Sequence, residues 1–361
     1  MKILKKINRE RIKFTRNIKF NFKIFFSYKT PPAILEINKC RNIGILFYGK
    51  QLGDTLVMSS ILRPLKENNF KIFIFCDDKA KTILENNEYL DQLIIIKSLK
   101  HIDEYNHLNI DLLIDLTYNT LTEYHRIILK EKINPIYSIY LYLHTSTRKE
   151  PSYEKLTRIH NEAIIYKEYN KHCENIYKHI LERLNITNYG KLSYIFNLKE
   201  NNLSNAKNFV SNFDGKKIII FNPFAANDKR SLSIEKTINI MTYLNAVYDH
   251  KTIIIGDPRL INSLPCFNNV IKFISNDISD AIALLSLSDI VISVDTSIVH
   301  FSKIFNKKLI SLYNNLMWGR FNNNLIWSPN YNNSTQLFSK SENMDDVDQR
   351  ELYQEIQRAL I

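Results

Sequence analysis

Four groups of residues in this chain of 361 have the types and spacing to do chemistry, and each follows an apolar run. In GKQLGDTLVMSS, Gly49 to Ser60, the acid Asp54 falls where the strand-like Ile43–Tyr48 gives way to helix-like sequence. An Asp there either caps the helix or serves as a carboxylate that takes a proton from a hydroxyl. In FNPFAANDKRSLSIEK, Phe221 to Lys236, Lys229 and Arg230 precede a helix expected from Ser231 or Ser233. Cations at a helix start oppose its dipole. The pair is therefore either a solvated loop or the partner of a dense anion such as a diphosphate.

The third group is the most specific. In DIVISVDTSIVHFSKIF, Asp289 to Phe305, a buried-type strand runs into Asp295-Thr296-Ser297 and then a helix carrying His300. Backbone N–H groups and the hydroxyls of Thr296 and Ser297 at a helix start suit a phosphate. Asp295 would repel one, so it reads as capping the turn or orienting His300, which otherwise reads as a core histidine. The fourth group is IIIGDPRL, Ile253 to Leu260, where Asp257 either accepts from ribose hydroxyls or closes a simple turn. Metal chemistry finds no support, because Asp77-Asp78 is adjacent rather than spaced and no ligand cluster has metal spacing. GxGxxG, GxxxxGK[ST] and GxSxG are all missing from the sequence, so no nicotinamide, P-loop or hydrolase-elbow reading survives and no cofactor is expected.

The elements that must position these residues alternate. Strands are predicted at 43–49, 71–76, 92–97, 110–116 and 135–141, with helices between most of them. Residues 151–189 read as polar and helical and 199–214 as a helix. The alternation then resumes: strands from Lys217, Thr252, Ile290 and Lys308, and helices at 231–247, 277–287 and 296–306. Residues 315–340 read as loop, and Asp345 to Ile361 as an amphipathic helix. Short continuous apolar strands separated in this way indicate parallel βαβ units. The expected organisation is an arm (1–42), a first doubly wound domain (43–198), a second (199–340) and a C-terminal helix (341–361). Two such halves imply a cleft, with ligands beyond the carboxyl ends of the strands.

Charge separates the arm from the body. Residues 1–30 hold ten of the 49 Lys/Arg and a single acid, Glu10, so they carry +9 of the net +12 and leave the body near +3. That body charge argues against nucleic-acid binding. In the arm, basic residues interleave with Ile3, Leu4, Ile7, Phe14, Phe20, Phe22, Phe25 and Phe26. This composition suits an anionic bilayer surface, or packing on the chain's own body or in a dimer. It lacks the apolar core of a signal peptide and is too short in apolar run to span a bilayer. Four scattered cysteines form no CxxC pair and fit a reducing cytosol.

With these motifs in order, the sequence resembles the family 9 glycosyltransferases of the lipopolysaccharide heptosyltransferase type. The resemblance rests on LGDTLVMSSILRPL, FNPFAANDKRSLSIEK and SVDTSIVHF, with KHCENIYKHILERLNI, Lys171 to Ile186, before the interdomain linker. It covers about residues 43–315 and leaves out the arm. It implies a GT-B fold: two Rossmann-like halves facing a central cleft, with a nucleotide-sugar donor, ADP-heptose or similar, on the C-terminal half. A lipid A–core glycan acceptor would sit on the N-terminal half, with inverting transfer and no metal. By the same resemblance Asp54 is the general base, Lys229, with Arg230 beside it, meets the donor diphosphate, Thr296 and Ser297 bind phosphate, and Asp295 and His300 complete that turn. Ser297 stands where the family has Gly, and KRSLS has no Trp. The implied location is cytoplasmic, peripheral at the inner face of the cytoplasmic membrane. A GT-B nucleotide-sugar epimerase and an inactive GT-B module that binds glycan or membrane are the alternatives.

Overall fold

Runs such as IGILF, Ile43 to Phe47, and IIIF, Ile218 to Phe221, are continuously apolar because helices cover both faces of the sheets they enter. The computed structural model describes residues 34–117, 120–144, 157–213, 215–246, 249–275 and 277–361, together with Arg11, Thr15, Ile18 and Phe22. The first sheet contains β1 (Asn42–Phe47), β2 (Lys71–Cys76), β3 (Gln92–Ile95), β4 (Leu112–Asp115), β5 (Tyr137–Leu143) and β6 (Glu162–Tyr166). The second contains β7 (Lys217–Asn222), β8 (His250–Ile254), β9 (Val270–Lys272), β10 (Ile290–Val294) and β11 (Lys308–Tyr313). A small antiparallel hairpin, β12 (Met317–Trp318) with β13 (Phe321–Asn322), precedes its last strand, β14 (Ser334–Phe338).

Both large sheets are parallel, in the orders β3-β2-β1-β4-β5-β6 and β14-β11-β10-β7-β8-β9. Each is the doubly wound order whose strand sequence reverses at one point, β1/β4 in the first and β7/β10 in the second. The helices are α1 (Leu52–Ser59), α2 (Leu62–Glu67), α3 (Asp78–Leu84), α4 (Glu123–Ile133), α5 (Glu174–Arg183) and α6 (Glu200–Val210). They continue with α7 (Ile234–Ala246), α8 (Pro258–Ser263), α9 (Ile278–Leu287), α10 (Ser297–Ile304), α11 (Asn323–Ile326) and α12 (Gln349–Leu360).

In the two large sheets the sequence pattern misses three strands, β6, β9 and β14, all at a sheet edge, and it also misses the β12–β13 hairpin. Residues 151–189 therefore contain a strand as well as α5, and 315–340 contain a hairpin, a short helix and a sheet strand. An edge strand has one neighbour and a partly open surface, so its residues are not uniformly apolar; β14 reads Ser-Thr-Gln-Leu-Phe, with only Leu337 buried.

Two compact units result. One gathers the described residues of Met1–Gln51 with Ile61–Lys167 and Lys178–Gly190; its core includes Leu46, Phe75, Leu113 and Leu129. The other gathers Leu52–Ser60, Glu168–Tyr177 and Lys191–Ile361, around Ile219, Phe221, Ile292, Leu312 and Ile356. Thus α1, early in the sequence, clusters with the second sheet. Among the described residues no helix is long and apolar enough to cross a membrane. The expected membrane-binding arm falls outside the described residues apart from four helical positions, of which Ile18 and Phe22 are exposed.

Candidate active site

In the second unit the strand order reverses between β7 and β10, and their carboxyl ends carry two of the motifs. Asn222, the last residue of β7, donates from Nδ2 to Ser293 Oγ (3.0 Å) and Thr296 Oγ1 (2.9 Å). One buried amide thus ties the two strand ends together. Thr296 is the N-cap of α10, its Oγ1 accepting from Ile298 N at 3.3 Å. Ser297 is the first helical residue and is partly exposed.

Asp295 is buried beneath that turn. Its Oδ2 accepts from Arg230 Nη1 (3.2 Å) and from Asn323 Nδ2 (2.6 Å). Burial raises its pKa, Arg230 and Asn323 oppose the rise, and the nearby charge of Asp54 adds to it. Arg230 therefore turns inward, as the counter-ion of a buried carboxylate. Its neighbour Lys229 points the other way and is exposed, 3.3 Å from Glu342 Oε2. A pair so open to water contributes little to stability and separates readily. The loop carrying both cations is firmly held: Ser231 Oγ accepts from Ala225 N (2.9 Å), and Asn314 Nδ2 donates to Lys229 O (2.6 Å). Asp257 follows Gly256 just past the end of β8, where a Cβ on Gly256 would lie 3.8 Å from Asn222 Oδ1. It caps α8, accepting from Arg259 N at 2.8 Å and pairing with the Arg259 side chain, which holds its carboxyl at about 2.

Asp54 sits in the first turn of α1, inside the helix rather than at its N-cap. A carboxylate there is favoured by the helix dipole. Gly53 lets α1 approach α10 closely: a Cβ at position 53 would lie 3.1 Å from His300 Cδ2 and 3.7 Å from Ser297 Cα. His300 is buried, with rings of Tyr194 (5.9 Å) and Trp327 (6.5 Å) edge-on to it. Burial, then the charges of His172 and Lys303, lower its pKa to about 3, so it is neutral at pH 7. The structure thus places Asp54, Lys229, Arg230, Asp257, Asp295, Thr296, Ser297 and His300 in one unit, with Lys229 exposed and Asp257 at the cap of α8.

Behind His300 lies a polar cluster that sequence reasoning missed. Glu174 and Lys303 form a buried ion pair, and Lys303 Nζ also stands 4.3 Å above the Tyr194 ring. Asn330 Nδ2 donates to Glu174 Oε2 at 3.1 Å. His172 accepts from Glu174 N at Nδ1 (3.2 Å) and reaches Ser328 O from Nε2 (3.0 Å), which assigns its proton to Nε2. Burial works against Glu174 ionising, but His172, Lys303 and Tyr194 keep its pKa below the usual range. Burial and the charges of Glu174 and Asp54 push the Cys173 thiol well up. His172 and Glu174 head the Lys171–Ile186 segment, which was the available sequence signal; Asn323 and Asn330 lie in what read as loop.

Comparison with known proteins follows the same lines. The chain is 25% identical over 356 residues to the "Putative lipopolysaccharide heptosyltransferase 4" of Escherichia coli K12, covering 96% of this chain and 95% of that protein. The chain is similar to this heptosyltransferase along almost its whole length. The chain is similar in fold to a family 9 glycosyl transferase from Veillonella parvula (TM-score 0.71, 17% identity, covering 91% of this chain and 98% of the other). It is also similar to the ADP-heptose lps heptosyltransferase II of E. coli (TM-score 0.64, 12% identity, 88% and 98%). No protein-family model matches the chain. The chain's two parallel sheets are those of the GT-B fold.

Proposed function

We propose that this chain is a glycosyltransferase that moves heptose from ADP-heptose to a lipopolysaccharide or lipooligosaccharide core acceptor, inverting the anomeric carbon without a metal. The observation that carries this reading is the packing of Gly53, the residue before Asp54, against His300 and Ser297. It puts a first-turn carboxylate beside a helix start able to receive phosphate. The similar E. coli proteins are described as heptosyltransferases, one of them as an ADP-heptose lps heptosyltransferase.

In this mechanism Asp54 takes the proton from the acceptor hydroxyl as that oxygen attacks the anomeric carbon. The bond to the diphosphate breaks on the opposite face. The negative charge that develops there meets the N–H groups and hydroxyls at the start of α10. Lys229 exchanges Glu342 for the diphosphate, a cheap exchange because both partners are exposed. Arg230 supplies positive charge from below while Asp295 and Asn323 fix its position. His300 stays neutral and shapes the wall beside Asp54. Asp257 lies outside the reaction in this scheme, since its carboxylate is already engaged by Arg259. The arm, with Ile18 and Phe22 exposed, holds the enzyme at the anionic inner face of the cytoplasmic membrane, where a lipid-linked acceptor is found.

The direct test is Asp54→Asn assayed with ADP-heptose and a core acceptor. Loss of a base lowers kcat by roughly 10²–10⁴-fold, with ADP binding little changed. Transfer at the native rate in this variant would reject Asp54 as the base.

A further inference from the structure

The β12–β13 hairpin projects an indole that the mechanism above does not use. Trp318 is 37% exposed and Met317, next to it, 51%. The hairpin turns on two residues, Gly319 and Arg320, with Gly319 at φ +61°, a backbone state open to glycine in such tight turns. Its base is rigid. Phe321 is fully buried, packs edge-on to Tyr169 at 5.1 Å and lies 5.6 Å from Trp318. Asn322 N donates to Tyr169 O (3.4 Å), and the Arg320 guanidinium lies 5.9 Å from the Tyr169 ring.

The exposed ring is continuous with the candidate site. Trp318 meets Trp327 at 6.2 Å, and Trp327 meets His300, the residue against which Gly53 packs. An indole held open to water beside a charged guanidinium has an apolar face and hydrogen-bonding groups at its margin. A sugar ring has the matching character, with C–H groups on its faces and hydroxyls around its edge. We propose that Trp318 is a stacking platform for a sugar ring bound next to His300, with Arg320 meeting that ring's hydroxyls, an inference that rests on the glycosyltransfer reading. Trp318 sets sugar affinity and not the chemical step, so it is a specificity residue rather than a catalytic one.

The chain has two tryptophans, which makes the test direct. In Trp327→Phe the fluorescence reports Trp318 alone. Titration with ADP-heptose, with ADP and with a deacylated core oligosaccharide then separates the sources. Quenching or a blue shift with ADP-heptose but not ADP assigns the donor sugar, and a response to the oligosaccharide assigns the acceptor sugar. Trp318→Ala should raise KM for that same ligand by roughly 3- to 10-fold with kcat little changed, and Trp318→Phe should recover part of the loss. An equal response to ADP and ADP-heptose without one to the oligosaccharide, or no response while thermal shift shows the ligands bound, overturns the platform. Failure of ADP-heptose to bind in the thermal-shift arm, with no transfer by the native enzyme, instead rejects the donor assignment.

Discussion

Gly53→Ala probes the contact on which the site reading depends. In an open helix interior this change stabilises by up to about 1 kcal/mol, because Gly loses more backbone freedom on folding than Ala. Here the new methyl would lie 3.1 Å from His300 Cδ2 and 3.6 Å from its Nε2. His300 has little room to retreat, being buried between Tyr194 and Trp327. Overpacking of this kind costs about 1–3 kcal/mol. The steric term therefore wins or balances, and the expected net change is about 0–2 kcal/mol of destabilisation. The effect on transfer should be larger than the effect on stability, since Asp54 is the next residue and a displacement near 1 Å can cost about 10²-fold in rate. Urea unfolding and transfer kinetics measure the two. In a His300→Ala background the methyl has space, so Gly53→Ala should turn neutral or stabilising there. Additive effects in that cycle, or a native-background gain of about 1 kcal/mol with unchanged kinetics, would refute the packing argument.

Three further outcomes follow from buried charge. Lys303→Met leaves Glu174 buried beside Asn330 and His172 without its cation, and should lower stability by about 3–5 kcal/mol; adding Glu174→Gln should recover most of it, and a double variant no better than the single would count against the pair. In the first unit Asp115 is fully buried, 2.9 Å from Arg126 Nη1, and although burial opposes it, Arg126, His160 and Thr117 hold its pKa far below the usual range. Arg126→Met should cost a similar ~3–5 kcal/mol, and a loss below about 1 kcal/mol in chemical denaturation would show the charge to be solvated. His300 gives a pH signature: with a folded pKa of about 3 it refuses a proton that the unfolded chain takes up near pH 6.5. Its contribution is complete above pH 6.5 and is lost as pH falls from there toward 3. His300→Gln should flatten the stability profile by ~2 kcal/mol between pH 7 and pH 5; parallel profiles for the two proteins would refute the burial of a neutral ring.

Much of the site was legible because its parts are local. The turn after each buried strand is set by neighbouring residues: Thr296 caps α10 and Asp257 caps α8 through bonds two residues long. Asp257 stands in the expected strand-to-helix turn, where it is the N-cap of α8. The helix carrying Asp54 starts two residues before it, at Leu52, so the acid lies in the first turn rather than at the cap. Edge strands escaped the pattern because one neighbour and a partly open face do not demand a continuous apolar run.

The sequence alone determined the doubly wound class, the positions of Asp54, Lys229, Arg230 and Asp295 to His300 at the start of helices or in loops, and the concentration of charge in the arm. Each depends on hydrophobic period or on residues within one turn of each other. Tertiary structure decided which of two adjacent cations serves the interior. Arg230 reaches Asp295, 65 positions away, and Lys229 stays at the surface with Glu342. It likewise decided that α1 clusters with the second sheet, that Glu174 neutralises Lys303 across 129 positions, and that Trp318 joins His300 through Trp327. Local propensity carries no information about such partners. They are selected by burial, which compels each charge taken from water to find its counter-ion wherever the fold brings one.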